Sequence, residues 1–386
     1  MTNQTFVLVD HRKEWSNLRP LTLTKPVSFL RIGILRIFEK WEKFLNQPVK
    51  IKTVQDYLVS FDTFSANEAA IYINSSILPT KKLAKAVSHL NAGESLYRNG
   101  VLIASSKGNA QSKFETEVHF EEDILKLEFP WDIFKLNELA LAEDFKLLTK
   151  GRKSENISAT NTVLGSEENI FLEYGAKVEA AILNTDGGYI YLAKDAEIME
   201  GSVVRGSLAL CEGASLKLAT KIYGATTVGP HSKIGGEVNN SVIQGFSNKG
   251  HDGFLGNSVI GEWCNLGADT NNSNLKNNYG EVRSWNYEKN DYIDTGLQFL
   301  GLIMGDHTKC GINTMFNTGT VTGVFANIFG GDFPPKYIPS YSWGGSAGFQ
   351  KYEFDKAIEV AKAVMSRRKI ELSEADYQIL EYLYNN

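Results

Sequence analysis

Residues 198–234 read IMEGSVVRGSLALCEGASLKLATKIYGATTVGPHSKI. An aliphatic side chain stands at Ile198, Val204, Leu210, Leu216, Ile222, Val228 and Ile234, a strict step of six held over seven positions. An α-helix repeats every 3.6 residues and an alternating strand every two, so neither counts in sixes. The step returns at Phe254, Ile260 and Leu266, and more loosely at Met304, Cys310, Phe316, Thr322 and Ile328. Glycine often follows the repeat position, as at Gly229, Gly235, Gly261, Gly267 and Gly311, where a tight corner would crowd a Cβ. Hexapeptide repeats of this kind predict a parallel β-helix, with short strands stacked coil upon coil and the aliphatics meeting inside. A β-sandwich would alternate in twos, with turns of varying length, and would lose this phase. The phase breaks between 235 and 254 and again between 272 and 303, which reads as insertions looping out on one side.

Outside this region the pattern changes. Phe6–Val9 is an apolar run suited to a buried strand, and 34–45 (ILRIFEKWEKFL) has helical spacing. Ala70–Ile73 suggests a second strand, followed by a turn and a helix over Lys81–Leu90. Charged segments at 114–127 and 131–148 complete an α/β half, and GRKSEN at 151–156 is a polar junction. At the other end, 352–368 and 372–383 read as helices, the second with Ser373 and Asp376 in N-capping positions. These helices are expected across an open end of the solenoid or against a neighbouring subunit. The chain therefore divides into an α/β domain over 1–152, a β-helix over 153–345 and a helical segment over 346–386.

The bulk properties exclude several classes. A formal net charge of −5 argues against general nucleic-acid binding, which needs a surplus of lysine and arginine. Cys211, Cys264 and Cys310 lie far apart, an odd count with no C-x-x-C pair, which fits reduced thiols. No apolar run approaches the ~20 residues of a spanning helix, and the N-terminus shows no signal pattern. The expectation is a soluble cytoplasmic protein that binds neither membrane nor nucleic acid.

Residues 247–274, SNKGHDGFLGNSVIGEWCNLGADTNNSN, carry one of the chain's six histidines, His251, in a run of glycine and asparagine. His251 has no His or Cys partner at ligand spacing, so no metal site is assigned. An imidazole so placed suits proton transfer near neutral pH. Asn265 and Asn274 can orient a substrate amine or hydroxyls, and backbone N–H groups around Gly267 and Ala268 can face an oxyanion. Lys221, Lys249 and Lys276 supply charge for a phosphate. The alternative is that His251 caps a solvated turn and the asparagines form a stacked ladder.

Residues 228–275 resemble the acetyltransferase domain of the bifunctional N-acetylglucosamine-1-phosphate uridyltransferase/glucosamine-1-phosphate acetyltransferase family. The matching runs are Gly250-His251-Asp-Gly-Phe254-Leu-Gly256-Asn257 and Ile260-Gly261-Glu-Trp-Cys-Asn265-Leu-Gly267-Ala268-Asp269-Thr270, then Ser273-Asn274. The resemblance implies a left-handed β-helix. It also implies His251 as general base for acetyl transfer from acetyl-CoA to the amine of glucosamine 1-phosphate or a similar sugar phosphate. Asn265 and Asn274 would then bind sugar, Ala268 would face the acyl group, and Lys221 would lie near the sugar phosphate. The family's sites lie between protomers, which implies a homotrimer. Phe254 stands where the family has tyrosine, Asp269 where it has glycine and Leu275 where it has tyrosine.

The first half resembles sugar nucleotidyltransferases more faintly, through Leu18-Arg19-Pro20-Leu21-Thr22 and Pro26. The glycines of that family's phosphate loop are absent, Asn17 and Val27 replace its arginine and lysine, and Asn74 stands for a metal-binding aspartate. Arg19, Lys25, Arg31 and Asn74 are the positions left to hold UTP, with Mg²⁺, for uridyl transfer to N-acetylglucosamine 1-phosphate. Rival readings are a nucleotidyltransferase with a structural or regulatory β-helix, and a non-catalytic carbohydrate-binding or assembly protein.

Overall fold

A computed structural model describes residues 4–65, 70–106 and 116–386. The charged segment expected from Phe114 therefore begins outside the described residues. The first domain holds a six-stranded sheet in the order Lys50–Lys52, Thr5–Val9, Ala70–Asn74, Val101–Ser105, Glu94–Arg98, Thr116–His119. The first three strands run parallel. Its helices are α1 (Arg12–Asn17), α2 (Ile37–Leu45), α3 (Lys81–Ser88) and α4 (Asp132–Thr149). Helix α2 starts three residues later than its apolar spacing suggests. Gly33 adopts a left-handed φ of +70°, and Arg31 bridges to Arg36, so the intervening chain is a tight reversal.

Asp10, just past the end of the first strand, is buried. It accepts from the Ser75 hydroxyl at 2.6 Å and from the Val27 amide at 3.1 Å. Burial raises its pKa from 3.8 to about 7. Between those two values the folded state holds a proton that the unfolded state has lost, so stability falls as pH rises through that window. We predict that wild-type Tm drops relative to Asp10→Asn on going from pH 4 to pH 7. Parallel melting curves over the whole range would refute this.

The solenoid has three faces, each a parallel sheet except for the antiparallel hairpin of Ser342–Gly345 with Gly348–Lys351 that ends the second. A nine-stranded face runs from Ile170–Leu172 to Tyr337–Ile338, a second of ten strands from Lys177–Val178 to Gly348–Lys351, and a third of six from Thr162–Leu164 to Phe254–Gly256. Each residue of the sixfold step points inward on successive faces. Leu210 meets Val228, Leu216 meets Ile234, and Val204 meets Ile222, eighteen residues apart. All are at most 1% exposed, so the step of six is one third of a coil.

The coil length is not constant. Leu172 pairs with Leu192 and Leu183 with Val204, coils of 20 and 21 residues, so no sixfold phase shows before Ile198. The first phase break is a contraction, contrary to the expected insertion: Val228 pairs with Ile243 and Ile234 with Lys249, 15 residues on. The second is a true insertion, since Ile260 pairs with Met304. It carries the antiparallel hairpin Arg283–Asn286 with Asp291–Asp294.

The nine-stranded face is buried on both sides. Its inward residues fill the solenoid, and its outward column includes Tyr191, Ala209, Thr227, Val242, Val259, Ile303 and Val321. These contact the first domain through α4 and the 16–36 loop, each aliphatic buried there being worth roughly 1.5–3 kcal/mol. Several of its strands accordingly read as continuous apolar runs (IYL, LAL, LIM), whereas on the six-stranded face exposed and buried residues alternate, as in VVR and KIY. That third face is open to solvent.

Helices α5 (Phe354–Ser366) and α6 (Glu374–Asn385) lie along the side of the last coils. Ser373 caps α6 as expected, accepting from the Asp376 amide. Val324, Phe325 and Tyr341 of the solenoid pack against Ala357, Ile358, Ala361 and Leu380. They meet a column of rings, His231, Phe246, Trp263, His307, Phe325 and Tyr341, all at one corner and all with left-handed φ between 54° and 61°. Such φ values cost of order 1 kcal/mol each for a residue with a Cβ, and ring stacking offsets part of it. Phe246 and Trp263 stack at 4.3 Å, His307 and Phe325 at 4.5 Å.

Candidate active site

The chain leaves the ten-stranded face and enters the open face through a second corner. Residues 217–218, 235–236, 250–252 and 268–269 stack there on consecutive coils, beside a groove of about 570 Å³. His251 and Ala268 both line it. His251 is exposed, and among the described residues its ring has no hydrogen-bond partner.

Lys249 explains how that turn is held. It occupies an inward position, between Ile234 and Leu266, where the solenoid otherwise places aliphatics. Its ammonium donates to the carbonyls of Gly235, His251, Asp252 and Gly253 at 2.8–3.4 Å. Three consecutive carbonyls of the His251 turn therefore point inward. Because peptide units are planar with N–H opposed to C=O, the amides of Asp252 and Gly253 point out, away from the lysine. The lysine is 2% exposed, and burial lowers its pKa to about 8, opposed by Asp252 and Asp269. Its amine is committed to these carbonyls, which corrects its expected role as a phosphate ligand.

We predict that Lys249→Met, of similar length but without a donor, destabilises the protein by about 1–3 kcal/mol, the penalty for buried carbonyls left unpaired. An unchanged melting temperature would remove Lys249 as the organiser of the turn.

The other expected residues separate into two groups. Phe254 shares an outward column of the open face with Glu237 and Lys221. Asn274 reaches the same face: a Cβ on Gly256 would lie 2.5 Å from the Phe254 ring and 2.6 Å from the Asn274 amide. Asn274 donates to Asn257 at 2.8 Å, and Asn265 accepts from Asn248 at 3.0 Å. Both are thus rungs of asparagine ladders. Asn265 lines a different cleft, described below, and not the His251 groove. Lys276 is engaged inside the insertion, donating to the Glu281 carbonyl.

The backbone donors also divide. The Gly267 amide donates to the Cys310 carbonyl at 3.0 Å and is spent, which corrects its assignment. Among the described residues the Ala268 amide has no acceptor. Asp252 and Asp269 also line the groove, as does Lys217, to which the sequence reading gave no place. Lys217 follows the repeat position Leu216 as Gly235 follows Ile234, so writing the chain coil by coil would have aligned it with the site.

The nucleotide-binding expectation meets a different geometry. Lys25 pairs with Glu262 at 2.5 Å and with Asp306 at 2.8 Å, both on the solenoid. Burial opposes its charge, and the two carboxylates hold its pKa above the ordinary lysine value. The Arg31 amide donates to the Gln244 side chain at 2.6 Å and its carbonyl accepts from the same side chain at 3.0 Å. Arg19 donates to the Ser16 carbonyl at 3.0 Å, and Trp15 and Tyr287 rings lie 5.1 Å from its guanidinium. The Asn74 amide oxygen takes the Ser76 amide and hydroxyl, so it is not a metal ligand as it stands. All four are structural here, and the loop expected to cradle a triphosphate is the strap that docks the two domains. The donor set does not fit Mg²⁺ at Asn74.

Comparison with known proteins adds the following. Residues 6–153 match the family described as sugar nucleotidyl transferase. A bifunctional sugar-1-phosphate nucleotidylyltransferase/acetyltransferase of Sulfurisphaera tokodaii is 25% identical over 295 residues, 73% of this chain and 66% of that protein. The bifunctional protein GlmU of Methanocaldococcus jannaschii is 34% identical over 87 residues, 22% of this chain and 21% of that protein. The chain thus aligns with less than two thirds of either relative. Among solved structures, the polysialic-acid-specific acetyltransferase NeuO aligns with 56% of this chain and 96% of its own, at 14% identity and a TM-score of 0.30. An Arabidopsis UDP-N-acetylglucosamine acyltransferase aligns with 55% of this chain and 80% of its own, at 14% identity and a TM-score of 0.21. No described helix is long and apolar enough to cross a membrane.

Proposed function

We propose that the protein is a sugar-phosphate acetyltransferase that uses acetyl-CoA to N-acetylate glucosamine 1-phosphate or a similar amino-sugar phosphate. The observation that carries this reading is His251 standing with the unpaired Ala268 amide in one groove, on a turn whose carbonyls Lys249 holds inward. His251 takes a proton from the sugar amine as its nitrogen attacks the thioester carbonyl, and the tetrahedral adduct then breaks its C–S bond, the CoA thiolate leaving with that proton returned from the imidazolium. The Ala268 amide donates to the oxygen that becomes negative. Lys217, and Lys221 on the open face, supply charge for the sugar phosphate. The bifunctional relative of Sulfurisphaera tokodaii supports the same pairing of activities. Ile182 and Val203 are paired neighbours exposed on the open face, an apolar patch suited to neighbouring copies in a homotrimer that would close the groove.

A second reading, nucleotidyl transfer from UTP, is favoured by the family match over residues 6–153. It would have to use groups other than Lys25 and Arg31. The deciding experiment is a mass-spectrometric screen of amino-sugar phosphates with acetyl-CoA, run beside pyrophosphate release from UTP with N-acetylglucosamine 1-phosphate. Acetylated product is the expected result. Pyrophosphate without acetyl transfer would replace the first reading with the second.

A further inference from the structure

A second cleft, of about 440 Å³, lies between the end of α5 and the ten-stranded face. Lys233 and Lys309 project into it from the solenoid, and Arg367 and Arg368 from the helix end. No aspartate or glutamate lines it, and none of the four forms an ion pair among the described residues. Arg368 donates to the His231 carbonyl and Lys309 to the His307 carbonyl, at 3.0 and 2.8 Å. Arg367 has no partner among the described residues. Phe246 and Trp263, two rings of the corner column, form the floor.

Four cations do not gather without a counter-charge at no cost. The C-terminal dipole of α5 offsets only about half a charge. Burial lowers Lys309 to about 8, and burial together with Arg368, Lys217 and Arg367 lowers Lys233. The Lys233 shift records, beside its burial, a cationic field that an anion would relieve. The opening is the size of a small-ligand site, and the stacked rings, whose faces are covered by one another in the column, turn their edges to it.

We propose that this cleft binds a phosphorylated anion carrying at least two negative charges, such as a pyrophosphate or a nucleoside diphosphate, as a site separate from the His251 groove. Arginine and lysine converging on one space match phosphate oxygens in charge and geometry. The proposal does not depend on acetyl transfer, because its readout is binding.

The test is isothermal titration calorimetry at low salt on the full chain, with sodium pyrophosphate and with UDP. Wild type should bind one anion per chain, and Arg367→Glu and Lys233→Glu should each weaken binding by roughly tenfold or more, one charge-assisted contact. These substitutions come from separate elements, so loss of α5 docking in one leaves the other informative. His251→Ala should bind as wild type does. UDP tighter than pyrophosphate would assign a nucleoside diphosphate, and equal affinities a bare polyphosphate. Absence of binding at millimolar anion, indifference to both substitutions, or displacement by acetyl-CoA would each overturn a separate site.

Discussion

His251→Ala is expected to lower acetyl transfer to an amino-sugar phosphate by at least ~100-fold while leaving the melting temperature unchanged. The two halves of that expectation come from one observation. The ring is exposed and has no partner among the described residues, so removing it breaks nothing that holds the fold. Substitutions of that kind stay within roughly 0.5 kcal/mol. A large fall in rate must then come from chemistry. The loss should appear in kcat, since a proton acceptor acts as the nitrogen becomes positive and contributes little to ground-state binding. A fall confined to KM would make His251 a contact to substrate, and a rate within twofold of wild type would remove it altogether.

Lys25→Ala should destabilise the protein by about 3–5 kcal/mol, the cost of removing one partner from a buried charge pair. Asp306 has a side chain only 5% exposed, and it would keep the Thr24 hydroxyl and the Glu262 amide but lose its one cation among the described residues. The ammonium joins the 16–36 strap to two coils of the solenoid, so domain docking should weaken with it. Restoring neutrality with Asp306→Asn in the same chain should recover part of the loss, a coupling that a double-mutant cycle measures. The nucleotide-binding expectation makes the opposite forecast, with weaker UTP binding and an unchanged Tm. Thermal melts of the two variants and their combination separate the two.

That strap shows where sequence resemblance and function part. Leu18-Arg19-Pro20-Leu21-Thr22 keeps the outline of a phosphate loop, and the match over residues 6–153 keeps its family. A loop without glycines puts a Cβ in the way of an anion approaching its amides, and here its cations face carboxylates and amide groups of the solenoid instead. Nothing in the local sequence says where a lysine will find its partner 237 residues away. The site around His251 is similar in kind. Its residues were legible one by one, but Lys249 reads as a surface cation until the 15-residue coil turns it inward.

The spacing of aliphatics alone determined the solenoid, because an inward position recurs on each of three faces and only a buried side chain needs to be apolar at every recurrence. It also determined the capped last helix and the presence of a helix and strands in the first half, since these rest on contacts within a few residues. The tertiary structure decided the rest. Coils of 15, 20 and 21 residues set which side chains stack, the doubly buried face fixed where the first domain docks, and pairing across hundreds of residues assigned each charge. Such pairings depend on distances that chain order does not encode, so charged residues could be listed from the sequence but their partners could not.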